Sequence, residues 1–265
     1  MRIVFFGNNY VGWQVLKHLR ESGEEIAGLV LHPPGRRKFG TEILAAAAAA
    51  PEAVFDGSRL SDPGVAGRLR ELQPEMGISV FFGYLLRKEL LDLFPRGVIN
   101  LHPALLPYNR GACPNAWSIL DGTPAGATIH AVDEGIDTGD ILARREVPAE
   151  PVDTAETLYR KLEKACIELF ADAWPAIRSG VAARQPQPPS SGTFHRVRDL
   201  EELAEIDPEQ SYPAGRLLDL IRAQSFPPYR GAFIRRDGRK IYLRMELLYE
   251  ESLKGPVHGS GPADR

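Results

Sequence analysis

Val98-Ile99-Asn100-Leu101-His102-Pro103-Ala104-Leu105-Leu106-Pro107 is the stretch from which the fold can be read. It begins as a β-branched apolar run and ends in two prolines, so it reads as a strand that stops abruptly and becomes a loop. Asn100 and His102 are two apart, which on a strand sends both side chains from the same face. One is an amide and the other a titratable imidazole. They stand at the carboxyl end of the strand, where open α/β sheets place their ligand sites. A second polar cluster follows at Asp133-Glu134-Gly135-Ile136-Asp137-Thr138-Gly139-Asp140. The rest of the chain is expected to bring the two stretches together.

Upstream, Ile3–Phe6 reads as a buried strand, Gly7–Gly12 as a turn, Trp13 to Glu21 as an amphipathic helix and Ile26–Leu31 as the next strand. This β-α-β opening makes the two strands parallel neighbours. The turn lacks both the dinucleotide fingerprint and the Lys-Ser/Thr of a P-loop. It is a tight strand-to-helix connection that leaves Asn8, Asn9 and Tyr10 as candidate substrate contacts. The loop from His32 to Gly40 carries three adjacent cations, Arg36, Arg37 and Lys38. They are either a solvated run or a clamp on substrate phosphates, which guanidinium groups grip bidentately. Thr41 is placed to cap an Ala-rich helix that ends before Pro51. Met76–Gly83 is apolar almost throughout, as a parallel strand covered on both faces should be.

Downstream, the loop Tyr108–Asn115 leads into a helix to Leu120, with Pro114 suited to its first turn. Thr128–Val132, which carries His130, and Ile141–Val147 read as strands, and Asp153 is placed to cap a helix from Thr154 to about Ser179. Gln185–Gly192 is Pro/Ser/Gly-rich and marks a boundary. The expected organisation is a catalytic domain over 1–184, a linker over 185–192, a small domain over 193–250 and a disordered tail over 251–265. The fold class is α/β: a Rossmann-like, mostly parallel sheet with helices on both faces, then a small α+β appendage. That appendage is a helix, Ala214–Ala223, and a hairpin whose strands are joined at Asp237-Gly238, a strong hairpin-turn signal.

With 265 residues, 43% hydrophobic and 25% charged, the chain has the composition of a soluble globular protein. A net charge of −3 lends no support to a nucleic-acid partner, which shows itself as a basic face. The two cysteines, Cys113 and Cys166, form neither a disulfide framework nor a metal-ligand spacing, which fits a reducing compartment. No apolar run reaches membrane-spanning length, and the amino terminus enters a strand without a signal-peptide core. The expectation is a cytoplasmic protein with no membrane partner and no metal.

Asn100, His102 and Asp137 together read as an acid/base site. An amide N–H can stabilise a developing oxyanion, imidazole transfers protons near neutral pH, and a carboxylate can orient the ring. Taken singly, Asn is as well suited to capping backbone groups and His to a hydrogen-bonded core position.

The chain resembles the formyltetrahydrofolate-dependent formyltransferases. The resemblance rests on Asn100-Leu101-His102-Pro103-Ala104-Leu105-Leu106-Pro107, on Arg110-Gly111 followed by Pro114 and Trp117, and on Gly135-Ile136-Asp137-Thr138-Gly139-Asp140-Ile141. These occur in family order and spacing, over roughly Met1 to Ser179. One departure is Ala104, where the family carries a non-catalytic serine. The resemblance implies that Asn100, His102 and Asp137 are catalytic and that the formyl donor is 10-formyltetrahydrofolate. It implies donor contacts from Phe81, Phe82, Gly83, Tyr84, Leu85 and Leu86 and from Val132, Asp133 and Gly135. The implied acceptor is a nucleotide-linked amino sugar, because a single carboxy-terminal hairpin is too little to close a tRNA-gripping barrel. Arg36, Arg37 and Lys38 are then candidates for its diphosphate. Asn8, Asn9, Tyr10, Tyr108, Asn109, Arg110 and Asn115 are candidates for the sugar and amine surroundings. The alternatives are methionyl-tRNA or another small amine as acceptor, or a non-catalytic folate- or nucleotide-binding module. An exposed hairpin edge is a candidate homodimer surface.

Overall fold

The computed structural model describes residues 1–188 and 190–253. Its centre is a seven-stranded sheet in the order β3-β2-β1-β4-β5-β7-β8. The strands are β1 (Arg2–Gly7), β2 (Glu25–Leu31), β3 (Val54–Asp56), β4 (Met76–Val80), β5 (Val98–His102), β7 (Ala125–Ala131) and β8 (Ile141–Val147). The five from β3 to β5 are parallel, and β7 and β8 run antiparallel at one edge. A two-residue strand β6 (Arg110–Gly111) lies outside this sheet.

Residue alternation along β1 shows why the sheet needs cover on both faces. Ile3 and Phe5 join one apolar cluster and Val4 and Phe6 the other, all fully buried. Helices α1 (Asn9–Glu21), α5 (Pro114–Leu120) and α6 (Ala155–Ser179) cover the first face. Helices α3 (Pro63–Glu71) and α4 (Lys88–Leu91) cover the second. On α6, Leu158, Leu162, Cys166, Phe170 and Trp174 recur every four residues and are all buried, and Phe170 stacks on Trp174 at 5.5 Å.

Several local expectations are corrected. Helix α1 begins at Asn9, a turn before Trp13, because the Asn9 side chain accepts the Val11 N–H and closes the first turn there. Helix α2 (Gly40–Ala47) is not capped by Thr41: Phe39 holds the cap position without a side-chain bond, and the helix ends before the left-handed Ala48. Thr154, rather than Asp153, caps α6, through reciprocal bonds with Thr157; Asp153 accepts from the Thr157 hydroxyl and the Glu150 N–H.

The carboxy-terminal part contains β9 (Phe194–His195), α7 (Val197–Glu202), α8 (Ala214–Arg222) and the hairpin β10 (Phe233–Arg236)–β11 (Arg239–Tyr242). Asp237 and Gly238 both have positive φ, as a type I′ turn requires. Segment 185–192 is not a free spacer. Gln185 exchanges backbone hydrogen bonds with Ile141, and β9 pairs with β6, so the chain is strapped along the catalytic domain. Of the expected disordered tail over 251–265, residues 251 and 252 belong to a 3₁₀ turn that begins at Glu250, and 254–265 lie outside the described residues.

Candidate active site

The register of β5 against β7 places Asn100 opposite His130 and His102 opposite Thr128. Cross-strand partners share a face, so three polar side chains converge where β5 ends. Asp137 reaches them from the loop after β7. His102 Nδ1 lies 3.6 Å from Asp137 Oδ2, His130 Nε2 lies 3.4 Å from Asp137 Oδ1, and Asn100 Nδ2 lies 3.1 Å from His130 Nε2.

Hydrogen bonding sets the ring tautomers. His102 Nε2 faces the Asn109 carbonyl at 3.1 Å, and a carbonyl only accepts, so Nε2 carries a proton. Nδ1 is left on the Asp137 side as the nitrogen that can gain or lose one. By the same logic His130 Nδ1–H donates to the Ala131 carbonyl at 2.8 Å, and its Nε2 takes an Asn100 amide hydrogen. This fixes the Asn100 amide with nitrogen toward the site. Its second N–H meets Asp137 Oδ1 at only 3.5 Å, a weak contact that a stronger acceptor can replace.

Burial opposes ionisation of Asp137, but the charged forms of the His102 and His130 rings and the Gly111 N–H, at 2.8 Å from Oδ2, favour it and outweigh burial. The carboxyl is therefore held well below the usual carboxylate range and is ionised at neutral pH.

A cleft of about 840 Å³ opens beside Asn100, His102 and Asp137. Phe81, Phe82, Gly83, Tyr84, Leu85, Leu86, Val132, Asp133 and Gly135 all line it. A second cavity of about 1340 Å³ adjoins it, and Phe81, Pro103, Pro114 and Val197 line both.

Of the ten residues proposed to meet the acceptor, Asn9, Tyr10, Lys38 and Asn115 line this second cavity. The other six do not. Asn8 is buried and pins the cationic loop, accepting from the Lys38 N–H and donating to the Arg36 carbonyl. Arg37 is turned back onto the His32 carbonyl, while Arg36 and Tyr108 line neither cavity. Asn109 is fully buried, and its amide is spent on Ser118, Thr123 and Thr193. Arg110 is buried against Gln187.

His130 and Tyr159 were not predicted. The Tyr159 ring stands between Phe81 and Phe226, and its oxygen accepts from Asn9 Nδ2 at 2.8 Å, which leaves its proton without an acceptor among the described residues. The only sequence signal for His130 was its place on a strand, and that becomes informative once β7 is known to run beside β5.

The chain belongs to the formyltransferase family and is a formyl-transferring enzyme, as its matches show. A family model described as "Formyl transferase" matches residues 1–173, and one described as "N-formyltransferase dimerization C-terminal domain" matches 199–249. The chain is 33% identical to a methionyl-tRNA formyltransferase from Anaeromyxobacter dehalogenans, over all of this chain and 85% of that one. Among solved structures it is similar to a 4-N formyltransferase from Francisella tularensis, with 26% identity, a TM-score of 0.79 and coverage of 94% of this chain and 98% of that one. It is also similar to the formyltransferase PseJ from Anoxybacillus kamchatkensis, solved with UDP-4,6-dideoxy-4-formamido-L-AltNAc and tetrahydrofolate. There the identity is 28%, the TM-score 0.55 and the coverage 76% and 89%.

Proposed function

We propose that the enzyme moves a formyl group from 10-formyltetrahydrofolate to the amine of a nucleotide-linked amino sugar, acting as a homodimer. The observation that carries this reading is the pair of joined cavities meeting at Phe81 beside the Asn–His–Asp cluster. The first suits a flat heteroaromatic donor. Phe82, Leu86 and Val132 give it apolar walls, and the backbone N–H and C=O groups of Tyr84, Leu85 and Leu86 have no partner among the described residues. The second lies between the catalytic domain and Phe226–Arg230 of the appendage, where Lys38 Nζ bonds the Tyr229 hydroxyl. It is larger than the ~300–1,000 Å³ typical of small-ligand sites, as an extended nucleotide-linked sugar requires.

When bound, the donor supplies an electrophilic formyl carbon, and attack by the acceptor amine puts negative charge on the formyl oxygen. The Asn100 amide N–H and a protonated His102 Nδ1 stabilise that charge. Asp137 holds the imidazolium and takes the amine proton, directly or through water. His102 returns a proton to the leaving nitrogen. His130 keeps the Asn100 amide in the donating orientation.

Methionyl-tRNA is the second reading, favoured by the 33% identical relative. Against it stand the net charge of −3 and the match of residues 199–249 to the N-formyltransferase dimerization C-terminal domain. Formyl-transfer assays across a panel of nucleotide-linked amino sugars, with initiator methionyl-tRNA alongside, test the proposal. Turnover with a sugar nucleotide and none with tRNA is the expected result, and the reverse pattern overturns it.

A further inference from the structure

We infer that Gln187, which lies outside both family-matched segments, is a positioning residue for Asp137. This rests on the reading of Asp137 as the catalytic carboxylate. The matches end at residue 173 and resume at 199, so the strap between them is unassigned. Yet the strap reaches all around the site.

Asp137 has φ 55°, in the left-handed region that a residue with a Cβ occupies at a cost. Something must hold the backbone there. The Gln187 Nε2 amide donates to the Asp137 carbonyl at 2.9 Å and to the Gly139 carbonyl at 2.7 Å, so both of its hydrogens go to this loop. Its Oε1 accepts from Arg110 Nη2 at 2.9 Å and Nε at 3.2 Å. The next residue, Gly111, donates its N–H to Asp137 Oδ2 at 2.8 Å. The contacts form a closed ring. The Asp137 carboxylate is held by Gly111, Gly111 adjoins Arg110, and Arg110 holds Gln187, which returns to the Asp137 backbone.

The remainder of the strap braces the same ring. β9 pairs with Arg110–Gly111, and Gly192 passes so close to the Pro107 carbonyl that a Cβ there would lie 1.9 Å from it. The Thr193 hydroxyl accepts from the Asn109 N–H at 2.8 Å, steadying the residue whose carbonyl anchors His102. A polar side chain spent only on docking the strap would need its bonds to Arg110. The two bonds to the acidic loop instead set where the carboxylate points.

Gln187→Glu separates the two roles. It keeps the length and strengthens the pairing with Arg110, so the strap stays docked. It replaces the two N–H donors with a carboxylate oxygen facing two carbonyls. With the new carboxyl ionised, kcat is expected to fall about tenfold or more, since small misplacements of a reacting group cost that much. KM for donor and acceptor should stay within about twofold, with the fold intact by circular dichroism. Gln187→Met, which has no donor and no acceptor, should lower kcat and stability together, and it carries the test if the Glu variant does not fold. A folded Gln187→Glu enzyme within twofold of wild-type kcat overturns the inference. Asp137→Asn is assayed in parallel. If it is inactive while Gln187→Glu is active, Gln187 alone is misassigned. If Asp137→Asn keeps near-normal turnover, the catalytic reading of Asp137 falls, and the inference with it.

Discussion

The cleft beside Asn100, His102 and Asp137 and the larger cavity that adjoins it share Phe81, Pro103, Pro114 and Val197, but they are built differently. The cleft is walled mainly by two continuous loops, one following β4 and the other following β7, and every residue expected there lines it. The cavity is assembled from separate segments around Asn9–Tyr10, Lys38–Phe39, Tyr159–Glu168 and Ala223–Arg230. Only Asn9, Tyr10, Lys38 and Asn115 of its ten expected residues line it. A site made from strand-end loops is local in the chain. A site closed by a helix face and an appended domain is not.

The largest effect should come from the residue nearest the reacting atoms. His102→Ala is expected to lower kcat by about a thousandfold, the middle to upper range for a lost acid/base group, with the fold intact by circular dichroism. A loss below tenfold would remove His102 from the mechanism.

Asp137→Asn should cost roughly a hundredfold, equally in kcat and kcat/KM, because the lost interaction forms only in the transition state. Donor binding, followed by fluorescence titration, should be unchanged. Asn preserves a local turn contact almost as well as Asp. A mutant within a few-fold of wild type therefore means that Asp137 only shapes its loop.

The acceptor side should respond more weakly and in KM. Lys38→Met and Tyr159→Phe each remove a polar group from the second cavity and should raise the acceptor KM about three- to tenfold, leaving the donor KM alone. Arg36→Ala should change neither, since Arg36 lines neither cavity. Equal losses at Arg36 and Lys38 would restore the cationic run as a phosphate clamp. They would also remove the contrast in how precisely the two cavities could be predicted.

The smallest effect concerns His32, which packs against the loop after β4. His32 Nε2 accepts the Gly83 N–H at 3.2 Å, and burial, helped by the Arg36 charge, pushes its pKa below the ordinary 6.5. The unfolded chain then binds a proton that the folded chain refuses. Stability should fall as pH drops below about 6.5 and recover above it. His32→Gln keeps an acceptor for Gly83 and cannot titrate, so its Tm should vary less between roughly pH 7.5 and pH 5.5. An equally steep fall would assign the pH dependence elsewhere.

Asn100, His102 and Asp137 were legible in the sequence because two lie on one face of a short strand and the third follows in a turn-rich loop. The strand pattern was legible for a related reason. Alternating burial on β1 and continuous apolarity on β4 follow from a sheet covered on both faces, and no distant residue needs to be known. The Asp-Gly hairpin turn is equally local. Helix starts were less legible, since Thr41 and Asp153 are sound caps by type, but backbone geometry placed α2 and α6 elsewhere.

The sequence by itself determined the sheet, the strand end that carries Asn100 and His102 and the loops that wall the cleft beside it, because each depends on residues a few positions apart. Only the tertiary structure decided the rest. His130 joined Asn100 through antiparallel register, Tyr159 entered the second cavity through the packing of α6, and Gln187 came back over Asp137 from fifty residues further along the chain. It also set Asn109 and Arg110 aside as supports, because burial committed their hydrogen bonds to the protein's own interior. Such contacts are set by how distant segments pack, and residue type and spacing do not encode that packing.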